Sequence, residues 1–285
     1  MRCIALCAVT VFAWTAAVDA RILTGEIGSV TVERGDTLRS LGSRFGVDAR
    51  TLAADNGLSL DKPLPVGMTL RIDNRHVMVP FAPDTSIVIN VPQRMLFVAA
   101  EGGVVAYPVA VGRADWQTPL GEFSILSKET NPTWDVPESI REEARRAGRS
   151  LPLKVPPGPD NPLGAYWLGL SLGSLGIHGT NAPRSIYQVV THGCIRLHPD
   201  DIAALFPQVQ VGTTGVLVYL PVLVAMDGDD VFLEVHRDVY GRGPRDVLEF
   251  VRLRAHELGV FDRIDWNVAG EVIRQRAGVA RRISS

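Results

Sequence analysis

The chain has 285 residues, 46% hydrophobic and 21% charged, and its 29 Lys+Arg against 31 Asp+Glu give a formal net charge of -2. That length leaves room for a sizeable core and about two domains. The even charge balance excludes the electrostatic footprint of a nucleic-acid-binding surface and a polybasic cluster for anionic lipid.

The first segment, MRCIALCAVTVFAWTAAVDA, places Arg2 before an apolar run from Cys3 to Ala17 and ends on Val18-Asp19-Ala20. A basic start, a short apolar stretch and small residues at the end form an export signal, here residues 1–20. The run falls short of the roughly 20 apolar residues that span a bilayer, and no later segment supplies them. The expectation is a soluble, exported mature protein. Cys3 and Cys7 leave with the signal, and the bulky Leu6 before Cys7, so near the start, argues against a lipid-modified cysteine. Cys194 then stands alone. A thiol with no disulfide partner in an oxidising compartment points to chemistry rather than crosslinking.

In residues 29–73, Val30 and Val32 alternate as a short strand, and Gly35-Asp36 makes a turn. Asp36 or Thr37 can cap a helix that carries Leu38, Leu41 and Phe45 at helical spacing. A second helix starts near Asp48, presents Leu52 and stops at Asn56-Gly57; a Pro-rich link then leads through Gly67 into a closing strand, Met68 to Ile72. The unit resembles a LysM module, whose V-x-x-GDTL, FGV, L-x-x-x-N-x-L and L-x-x-G-x-x-L-x-I pattern it follows. The resemblance implies binding of N-acetylglucosamine-containing glycan, hence attachment to peptidoglycan. Leu38, Leu41, Phe45 and Leu52 form its core, and sugar contacts are expected on the loops at Asp36, Thr37 and Asn56.

From Thr85 to Tyr219, short runs of β-branched and aromatic residues alternate with Gly and Pro. Ser86 to Val91, Met95 to Ala100, Val104 to Val111, Gly121 to Leu126, Tyr166 to Leu170 and Gly215 to Leu220 read as strands, with Glu101-Gly102-Gly103 as a hairpin turn. Helices are expected near Pro137 to Ala147 and Pro199 to Phe206. The spacing gives a mainly β domain, sandwich or barrel. After Pro221 a hairpin runs from Val222 to Val235, turning at Asp227-Gly228-Asp229. Val247, Val251, Ala255 and Leu258 then repeat along one helical face, and a last helix covers Asp265 to Arg276. The Arg-rich end, Arg274 to Arg282, reads as the solvated face of a helix, and the tail as structural.

Cys194 lies in Thr191-His192-Gly193-Cys194-Ile195-Arg196, and His178 opens Ile177-His178-Gly179-Thr180-Asn181. A thiol is only a few per cent ionised near neutrality, so a nucleophilic cysteine needs a base or cation beside it, and either histidine can serve. IHGTN followed by THGCIRL resembles the L,D-transpeptidase family, known for the ErfK/YbiS/YkuD catalytic domain. WQTPLGEF (116–123), NPTW (131–134) and VPPGPDNPLGAYWL (155–168) extend the likeness over roughly residues 85–220.

The resemblance implies that Cys194 is the nucleophile and His178 the general base, its ring oriented by the Gly179 carbonyl. Backbone N–H groups at Gly193 and Cys194, with His192 nearby, would stabilise the oxyanion. Arg196 either meets a substrate carboxylate in two-point contact or pairs with Asp200 or Asp201. Thr191, Trp116 and Trp134 are further substrate candidates, while Tyr107 and Trp167 either line the groove or belong to the core. The implied reaction is acyl transfer from a peptidoglycan tetrapeptide stem to an amine, on another stem or on an outer-membrane lipoprotein; water as acceptor would make a carboxypeptidase. No cofactor or metal is implied, carbapenem-type inhibitors are expected to acylate the thiol, and the family's Gram-negative branch places the protein in the periplasm. The domains are thus a signal (1–20), a βααβ LysM module (29–73), a YkuD-like catalytic domain (85–220) and a hairpin plus helical extension (221–285).

Two other readings compete. His178, His192, Cys194 and His198 could ligate a transition metal, which stoichiometric zinc in the purified protein would reveal. A non-catalytic peptidoglycan-binding protein would leave Cys194 inert to acylating drugs. His76, His236 and His256 are isolated in the sequence and read as satisfied surface or core residues.

Overall fold

The computed structural model describes residues 22–285, so the export-signal reading of residues 1–20 lies outside the described residues. Among them no helix is long and apolar enough to cross a membrane. In the glycan-module segment, Ile27–Thr31 pairs antiparallel with Thr69–Asp73, and the helices Leu38–Phe45 and Ala49–Asp55 lie between them in sequence. Thr37 caps the first helix in a reciprocal pair with Ser40, and Asp48 caps the second, as short polar side chains do for free helical N–H groups. Leu38, Leu41, Leu52, Leu70 and Ile72 close the small core.

The middle of the chain is mainly β. A nine-stranded sheet runs in the order Val189–Thr191, Gly103–Gly112, Ile195–Leu197, Gly176–His178, Tyr166–Leu170, Gly121–Thr130, Thr214–Val218, Ile87–Asn90, Met95–Ala100. The last strand pairs back onto Gly103–Gly112 through Met95↔Pro108 to Ala100↔Gly103, so the sheet closes on itself. Closure places Ile89, Leu96, Val98, Val109, Ile125, Leu168, Ile177, Ile195 and Leu217 in one interior, which Ile202 and Leu205 of the Pro199–Leu205 helix complete. Alternation along the strands then sends Val88 and Phe97 outward. They are buried there because Leu223, Ala225 and Phe232 of the Val222–Asp227 and Asp230–Val235 hairpin cover them.

The six strands expected from alternation are present, Gly121–Thr130 running four residues beyond Leu126. Gly176–His178, Val189–Thr191 and Ile195–Leu197 were not expected; three residues are too few to display a period of two. The Arg-rich end is corrected. The last helix stops at Gln275, Arg276 turns left-handed at φ 47, and Arg281–Arg282 returns as an edge strand beside Phe232–Leu233. Arg281 is no solvated helix residue: its guanidinium reaches Asp73 at 2.9 Å and Asp55 at 2.7 Å in the glycan module. Ala277 and Val279 fill that module's core, and Thr51 Oγ1 donates to the Ala277 carbonyl at 2.7 Å. The glycan module and the C-terminal segment therefore share one core.

His76 and His236, isolated in sequence, meet at Glu234, which is fully buried. Glu234 accepts from His76 Nδ1 at 2.7 Å, His236 Nε2 at 2.7 Å, Val77 N–H at 2.6 Å and Gln93 Nε2 at 3.0 Å. The far nitrogen of His76 faces the Gly46 carbonyl at 2.9 Å. One carboxylate thus joins the glycan module, the barrel and the C-terminal hairpin. These three side chains are also the group whose ligand atoms converge within 4.8 Å, but the carboxylate already receives donors on both oxygens, as a hydrogen-bonded hub does. Burial raises the Glu234 pKa, yet the charge of His76 and the His236 and His76 hydrogen bonds outweigh it and hold the group down to about 2.

Removing one member of a buried charged pair leaves the other uncompensated, at a cost of about 3–5 kcal/mol. Glu234→Gln should lower unfolding free energy by that order in urea titration; a loss below about 1 kcal/mol would contradict the hub. With Glu234 held near 2 against an ordinary 4.5, its contribution is complete above pH 4.5 and is lost as pH falls toward 2. Acid unfolding should carry that step in the wild type and lack it in Glu234→Gln.

Candidate active site

The register of three strands assembles the site. Parallel pairing sets Ile177 beside Ile195 and His178 beside Arg196, and antiparallel pairing sets Trp167 beside His178. Paired residues project to the same face, so Trp167, His178 and Arg196 form a row across the sheet. Cys194, two residues before Arg196, comes one step along that face. Strands lie about 4.8 Å apart, so ring and sulfur face the same region, with no hydrogen bond joining them among the described residues. Both open into one cleft of ≈ 730 Å³, lined also by Thr191, His192, Arg196, Trp116, Trp134 and Trp167.

Gly176 makes the packing possible. A Cβ there would lie 2.4 Å from the Trp167 ring, which instead covers the glycine and stacks on His178 at 5.8 Å. His178 Nδ1 lies 2.7 Å from the Gly179 carbonyl, which can only accept, so Nδ1 carries the proton and Nε2 keeps a free lone pair. Burial pulls the His178 pKa down to about 3, assisted by the Arg196 charge and opposed by the Gly179 and Leu163 carbonyls. Burial pushes the Cys194 thiol up, against a backbone hydrogen bond from Gly176 and the Arg196 charge. The resting pair is therefore a neutral imidazole beside a neutral thiol.

The loop before the sulfur is fixed from several directions. Gly193 adopts φ 108, open to glycine, and its N–H donates to Thr191 Oγ1 at 3.2 Å. Thr191 Oγ1 in turn donates to the Cys194 carbonyl at 2.6 Å. The Gly193 N–H expected at an oxyanion is thus engaged within its own loop, whereas the Cys194 N–H has no hydrogen-bond partner among the described residues. His192 Nε2 meets Glu143 at 2.6 Å, on the helix Glu138–Arg146, and Arg113 grips the same carboxylate at 2.6 Å. Those two hydrogen bonds, from His192 first, hold Glu143 below the usual carboxylate range.

Arg196 has no carboxylate partner among the described residues. One nitrogen donates to Ser185 Oγ at 2.9 Å and its Nε is buried without a partner, so the alternative of an ion pair with Asp200 or Asp201 is not realised. Tyr107 lies in the barrel core, whereas Trp116, Trp134 and Trp167 line the cleft. His198 accepts from Asp200 N–H at the start of its helix, and with His192 bound to Glu143 the two rings are directed away from a common ion. In the glycan module, Asp36 accepts from Glu33 N–H, Thr37 caps a helix, and Asn56 bonds Leu52 and Arg71 backbone at 2.8 and 2.7 Å. Each of the three thus takes part in the local fold, Asp36 through one carboxylate oxygen.

Residues 84–224 match the YkuD family, the L,D-transpeptidase catalytic domain, and residues 30–73 match the LysM domain. The chain is 32% identical over 283 residues to a probable L,D-transpeptidase ErfK/SrfK of Salmonella typhimurium, across 92% of this chain and 88% of that one. It belongs to the L,D-transpeptidase family. A probable L,D-transpeptidase YbiS of Escherichia coli is 33% identical over 225 residues, covering 76% of this chain and 72% of its own. A putative L,D-transpeptidase YkuD of Bacillus subtilis is 32% identical over 188 residues, covering 64% of this chain and 93% of its own.

Sequence reasoning missed Glu143, Thr118 and Gly176, each of which touches a site residue or its loop, and Tyr240, which holds Thr118. Thr118 stood inside the quoted WQTPLGEF run; Glu143 is one of several acids on a polar helix and carries no local signal. Because the thiol is raised above its ordinary 9.0, alkylation of Cys194 by iodoacetamide should climb with pH through 9. A plateau reached by pH 7 would mean a preformed thiolate–imidazolium pair and would contradict the neutral resting site.

Proposed function

We propose that the protein is a periplasmic peptidoglycan L,D-transpeptidase that uses Cys194 as nucleophile and His178 as general base. The observation that carries this reading is the free Nε2 lone pair of a buried, neutral His178 on the same sheet face as the one thiol of the described chain, in an open cleft. Export rests on the pattern of residues 1–20, and peptidoglycan as substrate on the LysM match and the family membership.

The donor is a tetrapeptide stem, presented at the carbonyl of the L centre of its meso-diaminopimelate. His178 Nε2 takes the thiol proton as sulfur attacks the carbonyl carbon, and the carbonyl electron pair moves to oxygen, where the Cys194 N–H receives it. Collapse breaks the C–N bond; the proton on Nε2 goes to the departing nitrogen, and D-Ala leaves as free amine. A thioester remains on Cys194. An acceptor amine then loses its proton to His178, attacks the thioester and displaces the sulfur, which regains the proton. The Arg196 guanidinium, with no carboxylate partner among the described residues, meets a stem carboxylate, and Trp116, Trp134 and Trp167 wall the groove.

A carbapenem should add one covalent adduct to the intact protein by mass spectrometry, lost in Cys194→Ala and slowed about 100-fold or more in His178→Ala. Crosslinking that survives Cys194→Ala would overturn the mechanism. Muropeptide analysis identifies the acceptor, since 3-3 dimers, lipoprotein remnants and hydrolysed stems differ in mass. Arg196→Met should lower kcat/KM on a tetrapeptide by about 10- to 100-fold, the worth of a charged hydrogen-bonded contact, without lowering Tm, because no ion pair is broken. A fall in Tm with unchanged kcat/KM would assign Arg196 to the fold instead.

A further inference from the structure

The family match ends at residue 224, yet the C-terminal extension reaches the turn that holds the nucleophile loop. Tyr240, buried against Tyr219 at 5.3 Å, donates through its hydroxyl to the Gly112 carbonyl at 2.5 Å and accepts from Thr118 N–H at 3.0 Å. Thr118 is 1% exposed; its hydroxyl accepts from Gly112 N–H at 2.8 Å and donates to the Gly193 carbonyl at 2.9 Å. Tyr240 is itself held, its N–H donating to Tyr219 at 2.8 Å while the Tyr219 hydroxyl donates to Asp238 at 2.6 Å. Arg242 adds a bond to Gln117 Oε1 at 2.7 Å on the same turn.

The Gly193 carbonyl and the Cys194 N–H belong to one peptide unit. That unit is planar and trans, so its C=O and N–H point in opposite directions and fixing one fixes the other. With Thr118 holding the oxygen, the N–H is aimed away from Thr118 and stays unpaired. Gly193, at φ 108, supplies little restraint of its own, because glycine rotates freely there.

We propose that Tyr240, from the C-terminal extension, is a positioning residue for acyl transfer, aiming the Cys194 amide at the developing oxyanion through Thr118. The inference rests on the reading of Cys194 as the acylated nucleophile. Tyr240 touches neither substrate nor sulfur. The inference deepens that reading by tying the oxyanion donor's orientation, through Thr118, to one residue outside the matched domain.

The test compares two reactions of the same sulfur in the full chain. Carbapenem acylation passes through an oxyanion; alkylation by iodoacetamide does not. Tyr240→Phe keeps the ring and its stacking while removing both hydroxyl bonds, and should slow acylation at least about tenfold, short of the roughly 100- to 1,000-fold cost of losing a donor outright. Its alkylation rate should match the wild type at every pH. Thr118→Val should behave likewise, and Thr118→Ser, which restores the hydroxyl, should recover most of the rate. If Tyr240→Phe does not fold, the Thr118 pair decides alone. Unchanged acylation in these variants, or equal slowing of both reactions, overturns the proposal. A wild type that alkylates but never acylates defeats the proposed function itself, a separate outcome.

Discussion

The Glu234 carboxylate is the point on which the whole arrangement turns. It lies in the interior with His76, His236, Gln93 and the Val77 N–H around it, contributed by the link after the glycan module, by the barrel and by the C-terminal hairpin. A charge that deep is tolerated only when it is paired and its lone pairs are filled. The segments must therefore dock in one arrangement for the carboxylate to be satisfied at all. Arg281, reaching back to Asp55 and Asp73, repeats the logic at the rim.

The site inherits that rigidity. The hairpin docked by Glu234 leads directly to Asp238, which holds Tyr219, and to Tyr240, whose hydroxyl meets Thr118 on the turn that carries Trp116. On the opposite side, Glu143 links the Glu138–Arg146 helix to His192, whose ring meets the Trp116 edge at 4.9 Å. The loop holding the sulfur is thus braced by elements from both flanks, although the strands that present it are only three residues long.

What was legible in the sequence followed the range of the interactions. The glycan module and the six longer strands announce themselves through spacing within a few residues, and the Cys194 and His178 runs through a motif shared with a family. The rest depends on partners remote in the chain. His76 and Glu234 are 158 residues apart, Tyr240 and Gly112 128, His192 and Glu143 49, and no local pattern couples them. The Arg-rich end misleads for the same reason: charge density suggests solvent, but Asp55 and Asp73 are waiting in a fold that periodicity alone does not assemble. Asp36, Thr37 and Asn56 show the converse, since residues prominent in the glycan-module pattern turn out to cap helices and tie backbone together.

The protonated state of the resting sulfur has a consequence for its chemical durability. Peroxides and stray disulfides attack the thiolate, and their rates follow the fraction of sulfur that is ionised. Burial of Cys194 keeps that fraction small, with the neighbouring ring equally uncharged. A sulfur that rests protonated is spared in the idle molecule, so the desolvation that raises the Cys194 thiol also slows its oxidation.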